Sequence, residues 1–281
     1  MEAARPSRTA LRVALRRAAH QLHDAQPLVL NDPIAIPILG QQYLPELHKT
    51  VTKLEKPFSV ALRAFLVARS RYAEDMLAHA VVNGVTQYVL LGAGLDTFAY
   101  RNPYPNLHVF EIDHPATQQW KRELLETSHI PIPQNLTFVP VDFEHQALPT
   151  RLLAVGFDFS VPTSFAWLGV VPYLTREAFR STLGFIAARP HGSGVVFDYV
   201  QPRAALPHLE QLARDSLAAR VQQAGEPFQL SFTPREVAAE LAAFHNLEDL
   251  GSPEINSLYF ANRSDNLKLL GSGGRMLSAW L

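Results

Sequence analysis

The sequence contains no cysteine, which excludes a disulfide framework and any metal site built on thiolates. It also lacks an excess of charge of either sign: 25 Lys and Arg residues stand against 26 Asp and Glu residues. This balance favours neither nucleic acid nor an anionic membrane as a partner. No apolar run reaches the roughly 20 residues that a membrane-spanning helix requires. Together these absences predict a globular, cytoplasmic protein without a structural metal.

The stretch from Tyr88 to Thr97 runs from four mostly apolar residues into two glycines that are separated by one residue. The apolar run is typical of a parallel strand buried on both faces. Gly92 and Gly94 have no Cβ, so the turn that they form can approach a ligand closely. The pattern further predicts a helix from about Asp96, whose free N–H groups would face that ligand. Thr97 stands where a dinucleotide fingerprint has its third glycine, so this stretch alone also fits an ordinary tight turn.

Two more predicted strands end in acidic residues. The first runs from Leu107 to Asp113 and carries Glu111 and Asp113, either of which lies at the right distance to bind the ribose of a nucleoside cofactor. The next runs from Leu136 to Asp142 and is followed by Phe143. Because parallel strands end at the same edge of a sheet, we expect these groups to share one ligand crevice, with Asp142 and Phe143 flanking the adenine.

Four strings in the chain are similar to sequences of the leucine carboxyl methyltransferase family, and most closely to its bacterial small-molecule branch. The resemblance implies an S-adenosylmethionine-dependent O-methyltransferase that modifies a carboxylate or hydroxyl of a small molecule. It also implies that Arg69, or failing that Arg71, grips the carboxylate of S-adenosyl-L-methionine, a bidentate task that suits a guanidinium. The strings are Gly-Ala-Gly-Leu-Asp-Thr-Phe-Ala-Tyr-Arg (92–101), Val-Phe-Glu-Ile-Asp-His-Pro-Ala-Thr-Gln (109–118), Pro-Val-Asp-Phe-Glu (140–144) and Val-Phe-Asp-Tyr (196–199).

The order of the predicted elements indicates an α/β protein of the class I methyltransferase (Rossmann-like) type. Further strands are predicted over 163–168, 192–199, 247–250 and 276–281, alternating with helices. The result is a seven-stranded, mostly parallel sheet with an antiparallel last strand and helices on both faces. We divide the chain into an N-terminal helical cap, residues 1–83, and a cofactor-binding domain, residues 84–281. The second domain contains a helical insertion at about 202–231.

The cap begins with a basic amphipathic helix predicted over 8–25. Leu11, Leu15 and Leu22 recur on one side, and the arginines of the segment are expected to turn elsewhere. A basic segment of this kind also occurs in organelle transit peptides. The family resemblance instead places it as a lid over the cofactor, where its closing would exclude water from the reacting methyl group.

Tyr173 and Tyr199 are the candidate catalytic residues if the acceptor is a hydroxyl, because Tyr173 follows the fourth predicted strand and Tyr199 ends the fifth, at the ligand edge of the sheet. His114 and His191 are weaker candidates, assigned to a turn and to a solvated loop. Part of the family has a glutamate at the end of the fourth strand, where this chain has Leu168. That departure leaves open whether the acceptor is a carboxylate or a hydroxyl.

Two other classes of function remain compatible with the residues. A nicotinamide-dependent oxidoreductase would use the same crevice, although the third fingerprint glycine is missing and more than eighty residues precede the first strand. A non-catalytic accessory protein would bind S-adenosylmethionine and transfer nothing. The sequence does not indicate an oligomeric state.

Overall fold

A seven-stranded sheet organises the protein in the computed structural model, which describes residues 7–49, 56–142, 146–223 and 225–281. The strands lie in the order β3-β2-β1-β4-β5-β7-β6. All neighbouring strands are parallel except where β7 pairs with β5 and with β6. This is the predicted mostly parallel sheet with one antiparallel strand. The strands are β1 (Gln87–Leu91), β2 (His108–Asp113), β3 (Leu136–Pro140), β4 (Thr163–Trp167), β5 (Gly194–Val200), β6 (Leu247–Leu250) and β7 (Gly274–Trp280).

Helices cover both faces of the sheet, as expected for parallel strands that are buried on both sides. Apolar residues of α3, α4 and α9 pack on one face, and those of α5, α6 and α8 pack on the other. None of the helices in the described part of the chain is long and apolar enough to cross a membrane. The helices are α1 (Arg8–His23), α2 (Leu44–Lys49), α3 (Pro57–Val82), α4 (Pro115–Thr127), α5 (Leu148–Leu153), α6 (Arg176–Ala187), α7 (His208–Gln223), α8 (Pro234–Glu240) and α9 (Ser252–Tyr259).

The predicted helix near Asp96 is absent, and the connection from β1 to β2 contains only a short 3-10 helix, Phe98–Arg101. The physical reason is local. The Asp96 carboxylate accepts a hydrogen bond of 2.8 Å from the backbone N–H of Phe98, and this side-chain turn competes with helix formation. The glycine turn is therefore not followed by the N-terminus of an α-helix. The Asp113 side chain, from the end of β2, accepts a hydrogen bond from the turn.

Helix α1 is oriented differently from its prediction. Leu15 is 7% exposed and packs with Leu95 in a small cluster that also includes α4 residues, whereas Leu22 is 45% exposed. Arg17 was expected to face away from the core, yet it is 4% exposed. The leucine spacing could not reveal this orientation, because three of the six buried residues of the helix are alanines (Ala14, Ala18 and Ala19) and two others are Arg17 and His20.

Helix α7 begins at His208 and not near Pro202, because Pro207 has no N–H for helical pairing and occupies the position before the first turn. A short 3-10 helix, Arg203–Ala205, takes up part of the intervening chain. The start predicted for the N-terminal helix, at residue 8, is confirmed. Helix α8 begins with a capping box in which Thr233 and Glu236 exchange hydrogen bonds.

The packing of α1 predicts unequal effects for two leucines on the same helix. Leu15→Ala should lower the free energy of unfolding by about 2–5 kcal/mol, since it leaves a cavity in a buried cluster. Leu22→Ala should change it by less than about 0.5 kcal/mol, because that side chain is largely exposed. Urea titration of both variants measures the difference. Equal losses would contradict the observed orientation of α1.

Candidate cofactor and acceptor site

The glycine turn after β1 requires its two glycines. Gly92 has a φ of 70° and Gly94 a φ of 50°, which is the left-handed region that favours glycine. The backbone N–H groups of Gly92 and Ala93 both donate to the carbonyl of Ile112, so the turn is fixed against the end of β2. A Cβ on Gly92 would overlap the side chain of Val170, in the loop after β4.

Asp113 reaches this turn from the end of β2. Its Oδ2 accepts a hydrogen bond of 2.6 Å from the N–H of Gly94, and its Oδ1 accepts one of 2.7 Å from the N–H of His114. Burial raises the pKa of the Asp113 carboxyl, and the two backbone donors oppose that effect. The carboxylate is therefore fixed at the mouth of the turn, and it is only partly buried.

Glu111, the alternative ribose ligand, lies in the core. Its side chain is fully buried, and its Oε2 accepts a hydrogen bond of 2.6 Å from Lys121 Nζ. Burial raises the pKa of Glu111 to about 7, whereas the Lys121 charge acts to lower it. Lys121 also donates to the carbonyl of Asp96. Glu111 is thus linked to the loop at Asp96 through Lys121. Because Glu111 is buried, the structure favours Asp113 for contact with a ligand.

The end of β3 adjoins the end of β2. The N–H of Val141 donates to the carbonyl of Asp113 over 2.9 Å, which places Asp142 at the same edge of the sheet. The N–H of Asp142 donates to the Gln146 side chain. Phe143, the other predicted adenine contact, lies outside the described residues. The ends of β1, β2 and β3 therefore adjoin at one edge of the sheet, as the strand order requires.

Arg69 extends from α3 to the ends of β4 and β5. It is 8% exposed, and its Nη1 donates to Asp198 Oδ2 over 3.1 Å. Asp198 Oδ1 accepts a second hydrogen bond of 2.5 Å from the N–H of Gly169. Gly169 has a φ of 72°, and a Cβ there would lie 2.6 Å from Arg69 Nη1. The close approach of the guanidinium to this backbone therefore depends on glycine.

Arg71, the alternative to Arg69, is not at the site. Its side chain is 47% exposed and pairs with Asp75 one helical turn away. Leu168, at the position where some relatives have glutamate, packs against the apolar cluster on the α3 face of the sheet. His114 caps α4, since its Nδ1 accepts from the N–H of Ala116, and His191 is exposed. His191 is thus solvated as predicted, and His114 begins a helix where a turn was expected.

A cavity of about 810 Å³ opens directly beside Arg69, Gly169, Tyr173 and Asp198. Helices α1, α3 and α7 supply most of its wall, together with the chain that precedes β7. The lining side chains are mostly apolar and include Phe58, Leu62, Phe65, Leu66, Val200, Leu206, Leu217 and Phe228. Its size and composition are those of a site for a small molecule.

The two candidate catalytic tyrosines differ in their surroundings. Tyr173 lines the cavity and packs against Phe228, and burial raises the pKa of its hydroxyl to about 12. Tyr199 is fully buried in the core of the other face, where its hydroxyl donates to Asp249 Oδ2 over 2.7 Å. The expectation that Tyr199 reaches the ligand edge is wrong, because alternation along β5 turns Asp198 and Tyr199 to opposite faces. Asp198 is the residue of this pair that faces the cavity.

Arg17 is a site residue that the sequence reading missed. Its Nη2 donates to the carbonyl of Leu95 over 3.1 Å and to Thr97 Oγ1 over 2.9 Å, and it lies 3.2 Å from Asp32 Oδ2. Helix α1 therefore fixes the loop after the glycine turn through the hydrogen bonds that Arg17 donates. The Asp-Thr-x-Ala-Tyr-Arg string (96–101) is the part of the sequence that points to this contact, because its Thr97 and Arg101 both contact Asp32.

Comparisons with known proteins agree with this geometry. A protein of Bacillus subtilis (strain 168), YktD, is 34% identical over 93% of this chain and 93% of its own length, and it is provisionally named an S-adenosyl-L-methionine-dependent methyltransferase. The crystal structure of a provisionally assigned methyltransferase from Thermobifida fusca YX has a TM-score of 0.58 at 18% identity, over 95% of this chain and 93% of that one. A DUF574 family protein from Streptomyces avermitilis MA-4680 has a TM-score of 0.54 at 15% identity, over 99% and 98% of the chains. At such identities, the structural likeness shows the fold alone.

Fold and relatives together define a class I, S-adenosyl-L-methionine-dependent methyltransferase. The model of the leucine carboxyl methyltransferase family matches residues 10–187, and the chain belongs to that family. This membership removes the nicotinamide-dependent alternative. The methyl donor is S-adenosyl-L-methionine.

The residues at the strand ends fit this cofactor chemically. A carboxylate suits ribose hydroxyls, a buried guanidinium suits an amino-acid carboxylate, and a turn without Cβ atoms permits close approach. We propose that Asp113 binds the ribose, that Arg69 binds the carboxylate, and that Asp142 and Phe143 flank the adenine. In the same proposal, Gly92 and Gly94 form the floor of the site.

Removing the Asp113 carboxylate should weaken cofactor binding. Asp113→Ala is expected to cost about 1.5–3 kcal/mol of affinity for S-adenosylhomocysteine, the value of a charge-assisted hydrogen bond. Asp113→Asn should lose part of this amount, since it keeps an oxygen for the Gly94 N–H. The control is Asp158→Ala, which removes an exposed acid from the loop that precedes β4. Isothermal titration in which Asp113→Ala binds like the parent would refute the ribose assignment.

Proposed function

We propose that this protein transfers the methyl group of S-adenosyl-L-methionine to an oxygen of a small molecule, and that a carboxylate is the preferred acceptor. The observation that carries the proposal is the position of the cavity. It opens beside Arg69 and Gly169, next to the strand ends assigned to the cofactor, and it is lined mainly by apolar side chains. An acceptor bound there would meet the cofactor at one end.

The bound cofactor supplies a methyl group that is already activated by a positive sulfur. The protein's task is therefore to align the acceptor oxygen and to exclude water. The cavity wall serves the second purpose, because α1, α3 and α7 surround the acceptor with apolar side chains. A dry environment removes the hydration that would otherwise weaken an anionic oxygen as a nucleophile.

The side chains near Arg69 favour an acceptor that is already ionised. Tyr173 has a raised pKa of about 12, so at neutral pH it is a hydrogen-bond donor and not a base. Asp198 is engaged by Arg69 and by the N–H of Gly169. No histidine of the described chain lines the cavity. A carboxylate needs no base, since its pKa of about 4 leaves it ionised at neutral pH.

The direct test is transfer of a labelled methyl group to a panel of small carboxylic acids, phenols, amines and thiols. Product methyl esters release methanol in mild alkali, whereas methyl ethers, amines and thioethers do not. We expect base-labile product from at least one class of carboxylic acid. Turnover confined to nitrogen or sulfur acceptors, or none with any class, would contradict the proposal.

The pH dependence should separate the two oxygen acceptors. With saturating cofactor and a carboxylate acceptor, kcat/KM should be nearly flat between pH 6 and pH 9, because the acceptor is ionised throughout. With a phenol, whose pKa is about 10, the rate should rise about tenfold per pH unit over that range. A steep rise with the best carboxylic acid would argue against direct attack by its ionised form.

Tyr173 is proposed to donate a hydrogen bond that positions the acceptor. Tyr173→Phe should lower kcat/KM about tenfold, consistent with the loss of one hydrogen bond to a charged group, and should leave S-adenosylhomocysteine affinity unchanged. Tyr199→Phe is the matched control, because its hydroxyl lies on the other face of the sheet and pairs with Asp249. That control should lower thermal stability and retain kcat/KM. The reverse pattern would restore Tyr199 as the functional tyrosine.

A further inference from the structure

Arginines gather at one part of the cavity wall. Arg12 and Arg16 project from α1, Arg214 and Arg220 project from α7, and all four line the cavity. They are additional to Arg69, whose guanidinium pairs with Asp198. A cavity with mostly apolar lining residues is thus also lined by four further arginines.

These four arginines have no carboxylate partner in the described part of the chain. Arg16 Nε and Arg214 Nη1 are buried and have no hydrogen-bond partner there. Burial, together with the neighbouring charges of Arg220 and Arg12, lowers the pKa of Arg16 to about 10. Buried donors that remain unpaired carry a desolvation cost, which an anion at this position would offset.

The nearby acids do not fill this position. Glu210 also lines the cavity, but its Oε2 accepts hydrogen bonds from the N–H and the Oγ of Ser272. Asp215, the neighbour of Arg214 in sequence, pairs with Arg203. Glu46 lines the same cavity and has an interaction of its own. Within the described residues, none of these four guanidinium groups forms an ion pair with a carboxylate, although the charge of Asp215 acts on Arg214.

The spacing along α1 gives the distance between the two polar parts of the cavity. Thr9 and Arg16 both line it, and seven residues of helix place them roughly 10 Å apart on the same side of α1. Thr9 lies toward Tyr173, at the end nearest Arg69. Arg12 lies between them on the helix, and the other residues of α1 that line this stretch, Val13 and Leu15, are apolar.

We infer that the methyl acceptor carries a second, anionic oxygen group, which Arg16 and Arg214 bind with help from Arg12 and Arg220. The acceptor is then an apolar molecule with its reacting oxygen at the Arg69 end and a carboxylate or phosphate about 10 Å away. Guanidinium groups suit both anions, because their fork of donors matches two oxygens at once. This inference rests on the proposed function only in assigning the cavity to the acceptor.

Binding of unreactive probes tests the anion site separately from catalysis. Octyl phosphate, octanoate and octanol share one alkyl chain and differ in the charged group, and each is titrated calorimetrically with S-adenosylhomocysteine at saturation. Under these conditions the cofactor carboxylate occupies Arg69. We expect one or both anions to bind at least about tenfold more tightly than octanol, and their ratio identifies the preferred oxyanion. Equal affinity for all three probes would overturn the inference.

Two variants test whether the preference for anions depends on Arg16 and Arg214. The double variant Arg16→Gln, Arg214→Gln should lose most of the preference for the anions and retain its affinity for octanol. Arg180→Gln, which removes an exposed arginine paired with Glu240 on the outer surface, should behave like the parent. Thermal denaturation shows whether the double variant is folded. If the folded double variant still prefers the anions to octanol, the inference is overturned.

The two hypotheses fail in different ways. If anions bind through Arg16 and Arg214 but no oxygen acceptor is methylated, the anion site stands and the proposed reaction is wrong. If oxygen acceptors are methylated and the double variant lowers kcat/KM equally for acids with and without a second anionic group, the reaction stands and the anion site is wrong.

Discussion

One buried carboxylate, that of Asp32, determines how the N-terminal segment meets the cofactor loop. It is fully buried, accepts a hydrogen bond of 2.6 Å from Thr97 Oγ1, and lies 3.2 Å from Arg17 and 3.4 Å from Arg101. A buried charge is tolerated only when it is paired and hydrogen-bonded, so these partners cannot separate without a large cost. The loop after the glycine turn is consequently fixed to α1, and it contains a short 3-10 helix where an α-helix was predicted from about Asp96.

Helix α1, fixed by this constraint, also lines the cavity beside Arg69. Helix α1 directs Arg17 toward the loop at Leu95 and the neighbouring Arg16 toward the cavity. Ala10, on the same helix, would lie 3.2 Å from a Cβ added to Gly94. One helix thus covers the glycine turn, fixes the loop that follows it and supplies part of the acceptor wall. The cap described from the sequence packs as a continuation of the methyltransferase core, so its removal would disturb both sites.

The sequence predicts the sheet well because each buried parallel strand is a continuous apolar run, and the carboxylates of Asp113 and Asp142 follow such runs directly. It predicts side-chain direction less well. Alternation along β5 turns Asp198 and Tyr199 to opposite faces, so only one of these two neighbouring residues faces the cavity. The burial of Arg17 depends on Asp32 and Thr97, which lie distant in the chain, and no local periodicity reports such a contact. The cavity depends likewise on how α1, α3 and α7 meet, which is a property of tertiary packing.

We propose that the ends of the parallel strands bind the cofactor, and that the methyl group of the bound cofactor faces the cavity. A crystal structure with S-adenosylhomocysteine, with the sulfur located by its anomalous signal, tests this claim most directly. We expect the ribose hydroxyls within hydrogen-bond distance of Asp113 and the cofactor carboxylate bound by Arg69. The sulfur should face the cavity beside Gly169 and Tyr173. A sulfur that faces away from this cavity, or a cofactor that leaves Asp113 and Arg69 uncontacted, would contradict it.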